Sequence, residues 1–429
     1  MALLRYLRIK SRKSEKNMGI LVQMGEGRGQ SRKTFKVSKR SALPPFLALD
    51  VMRKAGELSQ AGEDIVHLEV GQPSSAAPKG ASRALIEALE QTPTHGYSVA
   101  FGVMGLRKRL VRHYNEWYDA RPHTDNIAIT VGSSTAFALA FMAAFDEGDR
   151  IALPTPGYPA YRNLMEGLGL QAVPLTAGPD QGWRPMLAEM ESWETLPEGL
   201  MIASPSNPTG VVLSDSELSE ICRWCDERKV RLISDEIYHG LVYGCRAETA
   251  LNYTKNAIVI NSMSKYFSMT GWRIGWMILP DDLVVAVEKL AQNLFISAPT
   301  PNQIAAITAF DCTHELEAHC RRYALNREIL MAGLPREMIE GAAPCDGAFY
   351  LYADISQFSD NALEFSDSLL ACERVAVTPG IDFDPDNGHH YVRLSFAGRS
   401  SNMQEACKRI HRFVDDLRGD AAVNLTDSK

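Results

Sequence analysis

Long apolar runs are missing from this chain: none of its 429 residues fall in a stretch approaching the roughly 20 needed to cross a bilayer, so no membrane span is expected. Cysteine is sparse, with eight residues scattered rather than densely spaced, which excludes a small disulfide-stapled fold and suits a reducing, cytoplasmic compartment. The one C-x-x-C, Cys222 and Cys225, has neither a second pair nor a nearby histidine, so no metal site is expected and helix packing explains it. Internal repeats are absent, and so are Gly- or Pro-rich linkers that would separate independent domains. The chain as a whole also lacks positive charge. A net −7 gives no general reason to expect a nucleic-acid partner.

That charge is unevenly spread. Residues 1–40 hold twelve Lys/Arg against two Glu, about +10, which leaves about −17 for the rest. With little apolar periodicity, residues 1–41 read as a basic, disordered extension: a plain tail, or an overlong start with Met18 or Met24 as initiator. A targeting peptide and a basic arm are the competing readings. The length itself predicts two lobes rather than one core.

Past the extension, LALDVMRKAGEL carries helical periodicity within a helix expected over Phe46–Ala61, followed by a short strand ending at Gly71. From residue 127 the pattern alternates. IAITV, RIALPTP, QAVPLT, LMIASP, VRLISDEIY and AIVINSMS are short apolar strands, with helical crossovers between most of them. This predicts an α/β fold: a large domain whose mostly parallel sheet is covered by helices on both faces, plus a smaller α+β domain. The expected division is 42–75 and 301–418 for the small domain, 76–300 for the large one, and 419–429 as a tail.

In such sheets chemistry gathers on the loops outside the strand ends, and unusual residues stand there. Lys265 follows the buried-strand run AIVI, flanked by Ser262 and Ser264, with Arg273 beyond a Gly-containing turn. A buried lysine loses its charge easily and becomes a nucleophile; arginine and short hydroxyls suit a phosphate. Together they suggest a lysine Schiff base to a phosphorylated aldehyde. Such a ligand also wants a carboxylate for a ring nitrogen, donors for a ring hydroxyl and a cover for the ring face. Asp235 ends the strand of LISDEIYHG, with Tyr238 three residues on, and Asn207 lies in the irregular turn SPSNPTG. Ser133 and Ser134 open a helix, where N–H groups and hydroxyls make an anion site or a simple cap. Tyr158, in PTPGYPAY, could stack on a flat ring or fill core. Arg393, mid-strand in YVRLSFA, needs a carboxylate from the protein or from a substrate.

SPSNPTG, SDEIYHG, SMSKYFSMTGWRIGW and YVRLSFA, in this order along the chain, resemble the fold-type I pyridoxal-phosphate enzymes of the class I/II aminotransferase family. The similarity spans about 42–418. HGYSVAFGVMGLRKRL matches a further family stretch in degraded form, lacking its usual prolines between Ala100 and Gly105. The resemblance implies that Lys265 forms the Schiff base with pyridoxal 5'-phosphate and shuttles the proton, while Asp235 pairs with the pyridinium nitrogen. Asn207 and Tyr238 would bond the ring hydroxyl, and Tyr158 would stack. Ser133, Ser134, Ser262, Ser264 and Arg273 would hold the phosphate. Tyr97 would reach the partner's phosphate in a homodimer, and Arg393 would clamp the substrate α-carboxylate beside the Gly71 backbone, with Asn207 also near the substrate. The implied reaction is ping-pong transfer of an amino group between an L-amino acid and a 2-oxo acid. A C–S β-lyase on the same fold stays open, as does a cofactor-binding regulator, although the short extension carries no helix-turn-helix pattern.

Overall fold

The computed structural model describes residues 35–91 and 96–426; most of the basic extension lies outside the described residues. A seven-stranded sheet organises the chain. Its strands are β2 (Ile127–Thr130), β3 (Arg150–Thr155), β4 (Gln171–Thr176), β5 (Gly199–Ala203), β6 (Arg231–Asp235), β7 (Ile258–Ser262) and β8 (Gly275–Ile278), following the short β1 (Val66–His67). The spatial order is β2-β8-β7-β6-β5-β3-β4. Only β8 runs against its neighbours. The expectation of a largely parallel sheet therefore holds, with one strand the sequence reading did not contain.

Both faces of this sheet are buried, because successive side chains of a strand point to opposite sides. Ile258, Ile260 and Met201 face Phe137, Met165 and Val287, which come from the helices Gly132–Ala144, Pro159–Leu168 and Val284–Leu294. Val259, Leu200 and Ile202 face the other way, toward Leu110, Ile221 and Ala306 of Met104–Tyr118, Asp215–Arg228 and Thr300–Ala309. The stretch AFALAFMAA is apolar on every side, as a helix enclosed between sheet and neighbouring helices requires. Asp215–Arg228 starts on the capping box of Ser214 and Glu217, and it buries Cys222 and Cys225. Burial pushes both thiols upward, which leaves them inert packing groups.

The smaller lobe carries an antiparallel sheet in the order β11 (Thr378–Pro379), β12 (Tyr391–Ser395), β9 (Tyr350–Asp354). Beside it, β1 pairs in parallel with β10 (Val375–Ala376), joining an early segment of the chain to the smaller lobe. The last helix runs over Ser400–Thr426, so helical backbone extends through most of the segment read from sequence as a tail. Among the described residues no helix is long and apolar enough to cross a membrane, and no cluster of His, Cys, Asp and Glu could hold a metal ion.

Candidate active site

A cavity of about 240 Å³ opens outside the carboxyl ends of the parallel strands. Of the residues singled out from sequence, Lys265, Asp235, Tyr238, Asn207, Tyr158, Ser133, Ser134, Ser264, Arg273, Gly71 and Arg393 all line it. They arrive from different elements. Asp235 is the last residue of β6, Asn207 follows β5, Lys265 stands three residues past β7, and Arg393 is the centre of β12.

At one end the chain presents donors. The helix Gly132–Ala144 begins with Gly132 at φ 72°, a left-handed conformation that costs glycine nothing. A Cβ there would lie 2.1 Å from an Arg273 guanidinium nitrogen, so the arginine lies directly on the helix N-terminus. Gly275, at the start of β8, allows the same closeness: a Cβ on it would come within 2.7 Å of the Ser133 amide. Arg273 Nη1 donates to the Thr270 carbonyl at 2.9 Å. Arg273, Ser133, Ser134 and Ser264 all line the cavity beside this helix N-terminus, a donor set suited to an anion. Ser262 does not line the cavity. Its Oγ accepts the Ser264 amide at 3.0 Å and so shapes the turn that carries Ser264 and Lys265.

In the middle, Lys265 Nζ donates to the Gly71 carbonyl at 2.7 Å. Asp235 is fully enclosed; its Oδ1 accepts the Ile237 amide at 3.0 Å and its Oδ2 accepts the Tyr161 hydroxyl. Burial pushes the Asp235 carboxyl up to about 6, against the pull of those two donors. A carboxylate so placed gains from a cationic partner. The Tyr238 hydroxyl lies 2.8 Å from that of Tyr350. The Tyr158 ring meets Tyr161 edge-on at 5.2 Å, and burial raises its phenol to about 12.

At the other end Arg393, 3% exposed, donates to Asn207 Oδ1 at 3.0 Å and to the Glu69 carbonyl at 2.7 Å. Its guanidinium carbon stands 4.3 Å from the Tyr350 ring centroid and 4.7 Å from that of Phe383, and its Nε is buried without a partner. Lys265, Arg273 and Arg393 have no carboxylate within ion-pair distance among the described residues, and their hydrogen bonds go to neutral groups. Three cations around one cavity, with Asp235 at its floor, fit a ligand set carrying a phosphate, a carboxylate and a protonated ring nitrogen. The donor set therefore fits pyridoxal phosphate and an α-carboxylate together.

Tyr97 stands apart: it is 82% exposed and does not line the cavity within this chain. Conversely, the sequence reading missed Tyr161, Tyr350, Thr270 and Phe46. Tyr161 had a usable signal, since Pro159 at the first helical position puts Tyr158 and Tyr161 one turn apart. Tyr350 had none beyond its place in an aromatic strand.

The family model "Aminotransferase class I and II" matches residues 63–410. A valine–pyruvate aminotransferase of Mycobacterium tuberculosis is 44% identical over 89% of this chain and 99% of its own length. A (5-formylfuran-3-yl)methyl phosphate transaminase of Methanocaldococcus jannaschii is 35% identical over 86% and 97%. Among solved structures, an aminotransferase from Mycobacterium tuberculosis superposes with a TM-score of 0.87 at 43% identity, covering 89% of this chain and all of that one.

Proposed function

The chain belongs to the class I and II aminotransferase family and is a pyridoxal-phosphate-dependent transaminase, and from that premise we propose that it moves amino groups between a small apolar L-amino acid of the valine type and a 2-oxo acid such as pyruvate. The observation that carries this is the tally of cations: Lys265, Arg273 and Arg393 are the only ones lining the cavity among the described residues. Each has a duty, so none remains for a second carboxylate on the substrate. Phe46, Ala48 and Leu49 supply apolar wall instead, and an aspartate side chain left unpaired beside them would be strongly disfavoured. The valine–pyruvate relative points the same way.

The bound cofactor supplies the carbonyl that takes up the amine and an electron-poor ring that makes the amino acid's Cα proton acidic. Lys265 would hold the cofactor covalently through Nζ, and the same amine, when displaced by the substrate's, would carry the Cα proton. Asp235 holds the proton on the ring nitrogen. Arg273 with Ser133, Ser134 and Ser264 grips the phosphate, while Ser262 holds the turn beneath. Tyr238 and Asn207 bond the ring hydroxyl, and Tyr158 covers the ring face. Arg393 and the Gly71 backbone fix the α-carboxylate, which turns Cα toward Lys265.

Mixing the purified holoprotein with L-valine and no acceptor tests the substrate. The expected result is one equivalent of 2-oxo acid per bound cofactor, with kcat/KM for aspartate at least about tenfold lower. Equal use of aspartate would refute the apolar assignment. Continuous release of 2-oxo acid and ammonia from cysteine-type substrates would indicate β-elimination instead.

A homodimer is part of the same reading. Tyr97 and Val99 are 82% and 65% exposed on a stretch outside the chain's own cavity, and the family resemblance gives Tyr97 the partner's phosphate to reach. Sedimentation should give twice the 47.4 kDa chain mass; a monomer at working concentrations would remove Tyr97 from the site.

A further inference from the structure

One side chain touches three parts of the site without being any of them. Tyr350 opens β9 and is 1% exposed. Its hydroxyl is 2.8 Å from that of Tyr238. Its ring centroid is 4.3 Å from the guanidinium carbon of Arg393. A Cβ placed on Gly71 would be 1.8 Å from the Tyr350 oxygen, so the hydroxyl occupies the space a side chain at position 71 would need. The carbonyl of that same Gly71 accepts Lys265 Nζ at 2.7 Å.

The hydroxyl pair has a polarity problem that chemistry resolves. Each phenol carries one proton, and Tyr238, fully buried, is held neutral because burial first, and then Tyr350, raises its phenol well above the ordinary value. If Tyr238 spends its proton on the ring hydroxyl of the cofactor, it can only accept from Tyr350. A phenol that accepts one hydrogen bond donates a better one, since bonds in a chain polarise each other. The aromatic face of Tyr350 works on a different partner. Arg393 donates from Nη1 to Asn207 and from Nη2 to Glu69 and Thr378, which leaves Nε and one Nη1 N–H uncommitted, and Tyr350 and Phe383 supply the flat surfaces its guanidinium lies against.

We propose that Tyr350 is a positioning residue with two separable duties: its hydroxyl donates to Tyr238 and directs that residue's proton to the cofactor ring oxygen, and its ring orients Arg393 for the α-carboxylate. This rests on the roles given above to Tyr238 and Arg393.

The two duties part under substitution. Tyr350→Phe keeps the ring and the packing against Arg393 but removes the hydroxyl. The account expects the pH midpoint of the holoprotein's visible absorbance, read without substrate, to rise by roughly 0.3 to 1 unit, a two- to tenfold change in the ionisation constant. The reason is that a weaker donor at the ring oxygen favours its protonated form. KM for the amino acid should stay within about twofold. Tyr350→Leu removes the ring, and KM should rise by about tenfold or more. A residue that only filled space beside Gly71 would not move the absorbance midpoint.

Tyr238→Phe and the double variant complete the cycle. In the Tyr238→Phe background the effect of Tyr350→Phe on the midpoint should vanish. An undiminished effect there, or an unmoved midpoint in Tyr350→Phe alone, overturns the proposal while leaving the Tyr238 assignment standing, provided Tyr238→Phe itself shifts the midpoint. If Tyr238→Phe shifts nothing, Tyr238 does not bond the ring oxygen, and the proposal falls with it. Unchanged KM in Tyr350→Leu refutes the duty toward Arg393.

Discussion

Glu236, next to the site carboxylate Asp235, is a buried acid whose ionisation has to be felt by the fold. Its Oε1 accepts from Ser234 Oγ, Thr249 Oγ1 and the Ala250 amide at 3.2, 3.0 and 2.9 Å, while its Oε2 has no hydrogen-bond partner and lies 3.7 Å from His239 Nδ1. Burial outweighs those donors and raises its carboxyl to about 8. Buried His113 and His239 go the other way, pushed by burial down to about 3. The signs follow from which state holds more protons. Between the unfolded value of 4.5 and about 8 the folded chain keeps a proton on Glu236 that the unfolded chain has released, so this group's stabilisation is lost as pH rises through that window. The two histidines lose stability as pH falls from 6.5 toward 3, where the unfolded chain takes up protons the folded one refuses. From pH 6.5 to 8 Glu236 outweighs them, because their protonation in the unfolded chain fades above 6.5 while Glu236 stays protonated in the fold. Melting of the holoprotein should therefore shift down by about 1 to 3 °C across that interval, and Glu236→Gln should flatten the slope. An unchanged slope in the variant would mean that Glu236 is already ionised in the fold.

Strands and helices were legible where their signal was local. β-Branched runs marked β2, β6 and β7, and the pair Ser214 and Glu217 marked a helix start. β8 was not, because GWMI is four residues long and becomes a strand through pairing with β2 and β7 on either side. Residues 419–429 read as a tail, yet helical backbone continues to Thr426. At the site, Lys265, Asp235 and Arg393 could be picked out because a charged residue at or within a buried strand needs a reason. Ser262 and Ser264 could not be told apart. Only the turn reveals that one hydroxyl accepts the other's amide while the other lines the cavity. Tyr350 was invisible for the same reason: its meaning lies in contacts with positions 71, 238 and 393, which no spacing predicts.

For the molecule as a whole, the cavity is assembled from residues spread between Phe46 and Arg393, so neither lobe alone contains it. The large sheet carries Lys265, Asp235, Arg273 and the helix-opening serines; the smaller lobe carries Arg393, the arginine proposed for the substrate. This separation predicts that the covalent amine can be removed without dismantling the rest, because Arg273, Ser133 and Ser134 would still grip the phosphate. The decisive measurement is amino transfer from L-valine to pyruvate by Lys265→Ala, made on protein shown to retain bound cofactor. If Lys265 carries the proton, kcat should fall on the order of 10³-fold or more with the fold intact. Turnover within about tenfold of the unaltered protein would contradict it, because the proton would then be moving through some group other than Lys265.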